Sequence, residues 1–369
     1  ETLSFDPKEP HRDPVRFFFS MPHPMSELVQ KILFWYENNK RTLPWRDTGD
    51  PYKVLLSEVM LQQTRIEAVK KYFLNFIRVL PDIKALAECD EETLLKLWEG
   101  LGYYSRARNL KKAAEKILEK GFFPETQEEL SALPGIGRYT AGAISSIAFG
   151  RKACAVDGNV LRVLSRYRGK DVTKEEAEEF LLKHFPAEGR QASNYTQAWM
   201  ELGETLCLPK GETLCSVCPL KNTCIAKKKG IVELLPSPKE KKPRKTELLT
   251  VLLLEHDQHF GIRKRPAKGL LASLWEFPSL EGFLTEEEVK KSPFLPREAG
   301  IKEIRFLYET SHVFTHVKWE MRCYRLLLRK RFPSLEWVTP EEMGKAYPLP
   351  SAFAKMKKSA CNPEAESVY

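Results

Sequence analysis

The sequence predicts two domains of different class, an all-α domain followed by a smaller α+β domain, and three observations predict it. Between residues 26 and 226 apolar residues recur at helix spacing. Over 227–247 eight basic and three acidic residues are punctuated by Pro236, Pro238 and Pro243. Beyond 248 the apolar residues fall into short, partly alternating runs of Val, Leu and aromatics.

The first 25 residues mix Pro, His and charge without periodicity and read as a loose extension. Within 26–226 the segments 52–80, 90–97, 107–120 and 174–184 read as helices, broken by Leu133-Pro134-Gly135 and Phe185-Pro186. The 227–247 stretch buries too little apolar surface to pack, so it reads as a solvated tether. In the domain from 248 to 369, segments 248–254, 259–263 and 317–328 read as strands.

At 369 residues the chain is long enough for two cores, and 42% hydrophobic with 30% charged residues is ordinary for a globular protein. No apolar stretch approaches a bilayer span and no secretory pattern opens the chain, so a cytoplasmic monomer is expected. The net charge of +9, with a pI near 9.0, suits a polyanionic partner and above all nucleic acid.

The string Leu-Pro-Gly-Ile-Gly-Arg-Tyr-Thr spans residues 133–140. Gly135 and Gly137 permit a sharp turn whose amides face a helix start, an anion site suited to a phosphate; the plain alternative is a helix–loop–helix turn. Glu58 lies among Val54, Leu55, Leu61 and Gln62 on one helix face, where it is either paired in a core or desolvated into a general acid. Asp157 precedes a helical run as a natural N-cap, and the helix terminus should keep it ionised. One raised carboxyl beside one ionised carboxylate is the division of labour that glycosidic cleavage needs.

Four of the eight cysteines fall in the pattern Cys207-x7-Cys215-x2-Cys218-x5-Cys224. Such a cluster holds an iron–sulfur centre or a zinc, and zinc commonly uses two short Cys-x-x-Cys pairs where only one occurs here. Cys89, Cys154, Cys323 and Cys361 are isolated and read as small buried or incidental residues.

The strings around Glu58 (57–64), Gly135 (133–140) and Asp157 (155–160) together resemble the MutY family of adenine DNA glycosylases, in this order and at similar separations. The resemblance implies an all-α helix-hairpin-helix glycosylase domain with an iron–sulfur cluster, then an α+β Nudix-like domain. It further implies excision of adenine opposite 8-oxoguanine or guanine in double-stranded DNA, without strand cleavage. Glu58 would protonate the departing adenine while Asp157 stabilises the sugar cation or bonds to it transiently. Asn159 would orient Asp157 or the attacking water, and Tyr139 would join the carboxylate network. Related endonuclease III-type enzymes carry a Schiff-base lysine at the place of Tyr139, and a phenol cannot replace it.

By the same resemblance Trp45, Arg46 and Gln197 line the adenine pocket, and Gln63 sits near the orphaned position. Tyr103 wedges beside the lesion, and Phe314, Thr315 and His316 match a Phe-Ser-His loop that reads 8-oxoguanine. The four clustered cysteines match a [4Fe-4S] pattern with one extra residue in the first interval. The Nudix-like acidic motif is broken after Glu288, so this domain is expected to recognise rather than hydrolyse. Three rivals remain: a glycosylase–lyase, which Tyr139 opposes; a nucleotide-pyrophosphate hydrolase, which the broken motif opposes; and a DNA-binding scaffold, which leaves Glu58 and Asp157 idle.

Overall fold

A computed structural model describes residues 25–238 and 243–361. The expected extension, apart from its last residue, and part of the basic tether lie outside them.

Residues 27–229 form helices, most with a local reason to start. Asp50, Asp82, Asp90 and Asp157 cap helix N-termini through their own carboxylates, and Thr126 and Thr173 complete capping boxes. The segment 52–80 is not one helix, as its periodicity suggested, but two: Pro51–Leu61 and Ile66–Val79. The break falls at Gln63, which adopts φ +59° and so cannot continue the turn. The basic stretch is also less extended than its composition implied, because Ile225–Lys229 is helical and Val232–Leu234 makes a 3-10 turn.

Two apolar cores hold this half. One is built on Leu55, Met60, Phe73, Phe76 and Trp98, the other on Ile32, Tyr36, Tyr195, Trp199 and Leu202. The seam between them carries the site described below.

The second half is a sheet with strands β1 (Lys245–His256), β2 (His259–Lys264), β3 (Trp275–Glu276), β4 (Ser279–Glu281), β5 (Ile301–Val313), β6 (Val317–Leu328) and β7 (Glu336–Val338). The order is β3-β2-β1-β6-β5, with β4 beside β1 and β7 beside β2. β1 and β6 run parallel and the other pairings are antiparallel. Apolar clusters cover both faces. The long strand β5 escaped the sequence reading. Its burial does not alternate cleanly, and an irregularity between Phe306 and Tyr308 shifts its register.

The two halves pack together. Leu274 is fully buried in the first helical core, and Lys357 pairs with Glu99 at 2.8 Å and Lys264 with Glu92 at 3.0 Å. Among the described residues no helix is long and apolar enough to cross a membrane.

Candidate active site

A cavity of about 1250 Å³ opens along the helical seam, and Glu58, Tyr139, Asp157 and Asn159 all line it. Glu58 projects from the helix Pro51–Leu61, whose neighbouring Leu55, Val59 and Met60 are buried. The Tyr139 hydroxyl, 81 residues away, donates to Glu58 Oε2 at 3.0 Å and lies 3.8 Å from Met200 Sδ. Burial pushes the Glu58 carboxyl up to about 7; the Tyr139 hydrogen bond and Arg46 work against this and the charge of Asp157 adds to it. A carboxyl raised this far can hold a proton near neutrality, which general acid catalysis requires.

Asp157 caps the helix Gly158–Arg168, its Oδ1 accepting from the Val160 N–H at 2.7 Å. Its Oδ2 accepts from Asn159 Nδ2 at 2.9 Å. The helix terminus is expected to favour the ionised form of Asp157, and both of these contacts act in that direction. Burial raises its carboxyl and outweighs the Val160 N–H and the Asn159 amide, which favour the charged form. Both carboxyls are therefore raised, and Glu58 carries the large shift.

Asn159 is held on all sides. Its Oδ1 accepts from Arg162 Nη2 at 2.8 Å, and its Nδ2 also donates to Glu204 Oε1 at 2.8 Å. Gly203 makes this approach possible, since a Cβ there would fall 2.5 Å from Asn159 Cβ. Arg162 also donates to the Gly203 and Cys207 carbonyls at 2.9 and 2.8 Å, tying the cavity to the cysteine segment.

Trp45, Arg46 and Gln197 line the same cavity. Trp45 packs edge-on against Phe73, with ring centroids 5.3 Å apart, and Gln197 Nε2 donates to Ser193 Oγ at 3.2 Å. Arg46 is committed to Glu201 at 2.5 Å and to the Arg41 carbonyl at 2.9 Å. Sequence reasoning missed Glu201 and Glu204. The available signal was their spacing, four and seven residues after Gln197 on one helix.

Gln63 lines the cavity and Tyr103 stands exposed beyond it, both in the left-handed region. Arg106 fixes both. Its guanidinium donates to the carbonyls of Val59, Met60 and Gln62 at the end of the Glu58 helix, and to Leu101 and Gly102 before Tyr103. Gly135 turns with φ +75°, and Gly137 caps the helix Arg138–Phe149 where an added Cβ would meet nothing within 4 Å. That free space lets an anion approach the helix start.

In the sheet domain Phe314 makes edge-on ring contacts with both Trp319 and His312, with centroids 4.9 and 4.6 Å apart. The Phe314 N–H donates to the Val317 carbonyl at 2.8 Å, closing the turn between β5 and β6, and the His316 carbonyl accepts from the Lys245 N–H of β1 at 3.2 Å. Thr315 lies in that turn and meets Tyr103 at 2.9 Å. Tyr103 and the Phe314–His316 turn are thus brought together from opposite halves of the chain.

Cys207, Cys215, Cys218 and Cys224 line one cavity. Arg166 Nη1 reaches Cys207 Sγ at 3.3 Å, and Cys224 Sγ lies 3.4 Å from the Arg166 carbonyl. Among the described residues no group of three or more ligating side chains is gathered around a single-ion point. The longer first interval folds back with Gly211 at φ +80° and a 3.0 Å bond from the Leu214 N–H to the Leu206 carbonyl. Four soft donors around one space, with a guanidinium against one of them, fit an anionic thiolate-held group.

Comparison with known proteins follows the same lines. Residues 56–187 match the model of the HhH-GPD superfamily base excision DNA repair proteins, and residues 249–359 match the NUDIX domain. The human adenine DNA glycosylase is 34% identical over 387 residues, spanning 85% of this chain and 70% of that protein. The adenine DNA glycosylase of Buchnera aphidicola subsp. Baizongia pistaciae (strain Bp) is 35% identical over 302 residues, spanning 79% and 84%. Among solved structures, a thermostable thymine-DNA glycosylase superposes with a TM-score of 0.51 at 28% identity, covering 55% of this chain and 95% of that one.

Proposed function

The chain belongs to the adenine DNA glycosylases of base excision repair, and from that premise we propose that its substrate is adenine paired with 8-oxoguanine or guanine in double-stranded DNA. The observation that carries the reading is the Glu58–Tyr139 pair facing the same cavity as Asp157. Glu58 gives its proton to the adenine as the glycosidic bond breaks, and the bonding pair leaves with the base. Asp157 carries the resulting sugar cation, as an ion pair or a transient ester, and water completes the abasic product. Asn159 orients Asp157 and Tyr139 orients Glu58. With a phenol at 139 no Schiff base forms, so the strand stays intact.

Adenine must leave the stack to react. Trp45, Arg46 and Gln197 receive it, Gln63 and Tyr103 support the vacated duplex, and the Gly135 and Gly137 amides hold phosphate. Phe314, Thr315 and His316 read the oxidised guanine, which makes the sheet domain (248–369) a recognition module joined to the catalytic domain (26–226). Cys207, Cys215, Cys218 and Cys224 would hold a [4Fe-4S] cluster that is structural or DNA-sensing. On this reading the enzyme works as a cytoplasmic monomer, associated with the nucleoid in a bacterium.

The test is single-turnover adenine release from an 8-oxoguanine:A duplex by wild type and Glu58→Gln. Abasic product from wild type, with a loss of ~10²–10⁴-fold in the variant, supports the general acid. Binding without base release by wild type would sink the enzyme reading in favour of a scaffold, and strand breaks without alkali would sink the monofunctional one. The purified protein should be brown; a colourless, zinc-loaded protein would refute the cluster.

A further inference from the structure

Glu204 stands at the rim of the catalytic cavity, at the end of the helix Arg190–Thr205, and the steps above leave it without a task. Its Oε1 accepts from Asn159 Nδ2 at 2.8 Å, the nitrogen that also donates to Asp157 Oδ2 at 2.9 Å. The Asn159 oxygen is taken by Arg162, so the amide cannot flip, and its two N–H groups are divided between two carboxylates. Glu204 is thus tied to Asp157 through one shared amide.

Charge sharpens the point. Among the described residues Glu204 forms no ion pair: Arg162 gives its N–H groups to Asn159 and to the Gly203 and Cys207 carbonyls, and Arg41 gives its own to Glu201, so both cations act on Glu204 only through space. Despite these cations the charge of Glu204 still raises the Asp157 carboxyl, and a positive charge arriving in the cavity that both face would be favoured by each. In glycosidic cleavage that charge is the sugar cation, which exists only at and beyond the transition state.

We propose that Glu204 is a positioning residue for the hydrolysis, pinning the Asn159 amide against Asp157 and setting a second negative charge beside the sugar cation. The proposal rests on the reading of Asp157 as the carboxylate that faces that cation. Glu204 has one further measurable consequence. Its charge adds to burial in raising the Asp157 carboxyl, so its removal lets Asp157 ionise at lower pH.

The experiment is single-turnover adenine release across pH, with duplex affinity measured separately, for wild type, Glu204→Gln, Glu204→Ala and Asp157→Asn. Glu204→Gln keeps an acceptor for Asn159 and loses only charge. Its plateau rate should fall about tenfold, its acid limb should move to lower pH, and duplex binding should be unchanged or tighter. Glu204→Ala loses the acceptor as well and should be slower still. Wild-type rate and acid limb in both Glu204 variants, with Asp157→Asn inactive, overturn the role of Glu204 alone. A slower rate with an unmoved acid limb overturns it too, because a purely structural loss would look that way. Full activity in Asp157→Asn instead overturns the reading of Asp157 beneath it.

Discussion

The Tyr103 hydroxyl lies 2.9 Å from the Thr315 hydroxyl, a bond that spans 212 residues and joins the helical half to the sheet half. Neither partner is placed by local sequence alone. Tyr103 is held at φ +48° by the carbonyl contacts of Arg106 around it, and Thr315 sits where β5 turns into β6. If this turn reads the oxidised guanine, Thr315→Val keeps the shape and removes the hydroxyl. The preference for 8-oxoguanine:A over G:A duplexes should then fall by about fivefold, the worth of one ordinary hydrogen bond. Thr315→Ser should keep it, and competition binding reads both. An unchanged preference in Thr315→Val would remove Thr315 from lesion recognition.

The Glu58–Tyr139 bond makes a signed pH prediction. If Glu58 is the general acid it acts in its protonated form, so single-turnover rates should decline as pH rises through about 7. Tyr139 donates to the ionised carboxylate and holds its pKa down, so Tyr139→Phe should move this basic limb to higher pH. A limb that stays in place would mean that another group sets it.

Arg106 is buried with its guanidinium shared among backbone carbonyls, and burial brings its pKa down to about 10. Replacing it with Met fills similar space but strands those acceptors. Urea unfolding should register a loss of roughly 2–4 kcal/mol. Gln63 and Tyr103 lose their common support, so duplex affinity should fall as well. Wild-type stability would show that water can replace the guanidinium.

Glu201 predicts an acid dependence of stability. Burial disfavours its charge, but hydrogen bonds and ion pairs from Arg41 and Arg46 win and bring its pKa from 4.5 to about 2. A carboxyl depressed in the folded state stabilises above its unfolded pKa, and that contribution is lost as pH falls. Part of the acid unfolding between pH 4.5 and 2 should therefore belong to Glu201. Glu201→Gln should be less stable at neutral pH and flatter across that window, as thermal melts at successive pH values would report.

The candidate site was legible in part. Glu58 and Asp157 stood out because a carboxylate on an apolar helix face and an Asp before a helical run are local anomalies. Glu201 and Glu204 did not. Each follows ordinary helix sequence, and each gains meaning only from Arg46, 155 residues away, or Asn159, 45 residues away. The break at Gln63 was hidden for a related reason. Gln-Gln-Thr-Arg carries no glycine or proline, and the turn is imposed by Arg106 from another helix.

The sequence by itself determined the two-domain order, the helix starts at Asp50, Asp157 and Thr173, the glycine turn at 135–137 and the close spacing of four cysteines. All of these act over a few residues, where side-chain volume, capping and backbone sterics decide. Only the tertiary structure decided that β5 would be a strand, that Arg46 would be committed to Glu201, and that burial would raise both catalytic-cavity carboxyls. The physical reason is that desolvation and long-range pairing depend on what packs against a group, and for these residues that partner lies tens to hundreds of positions away.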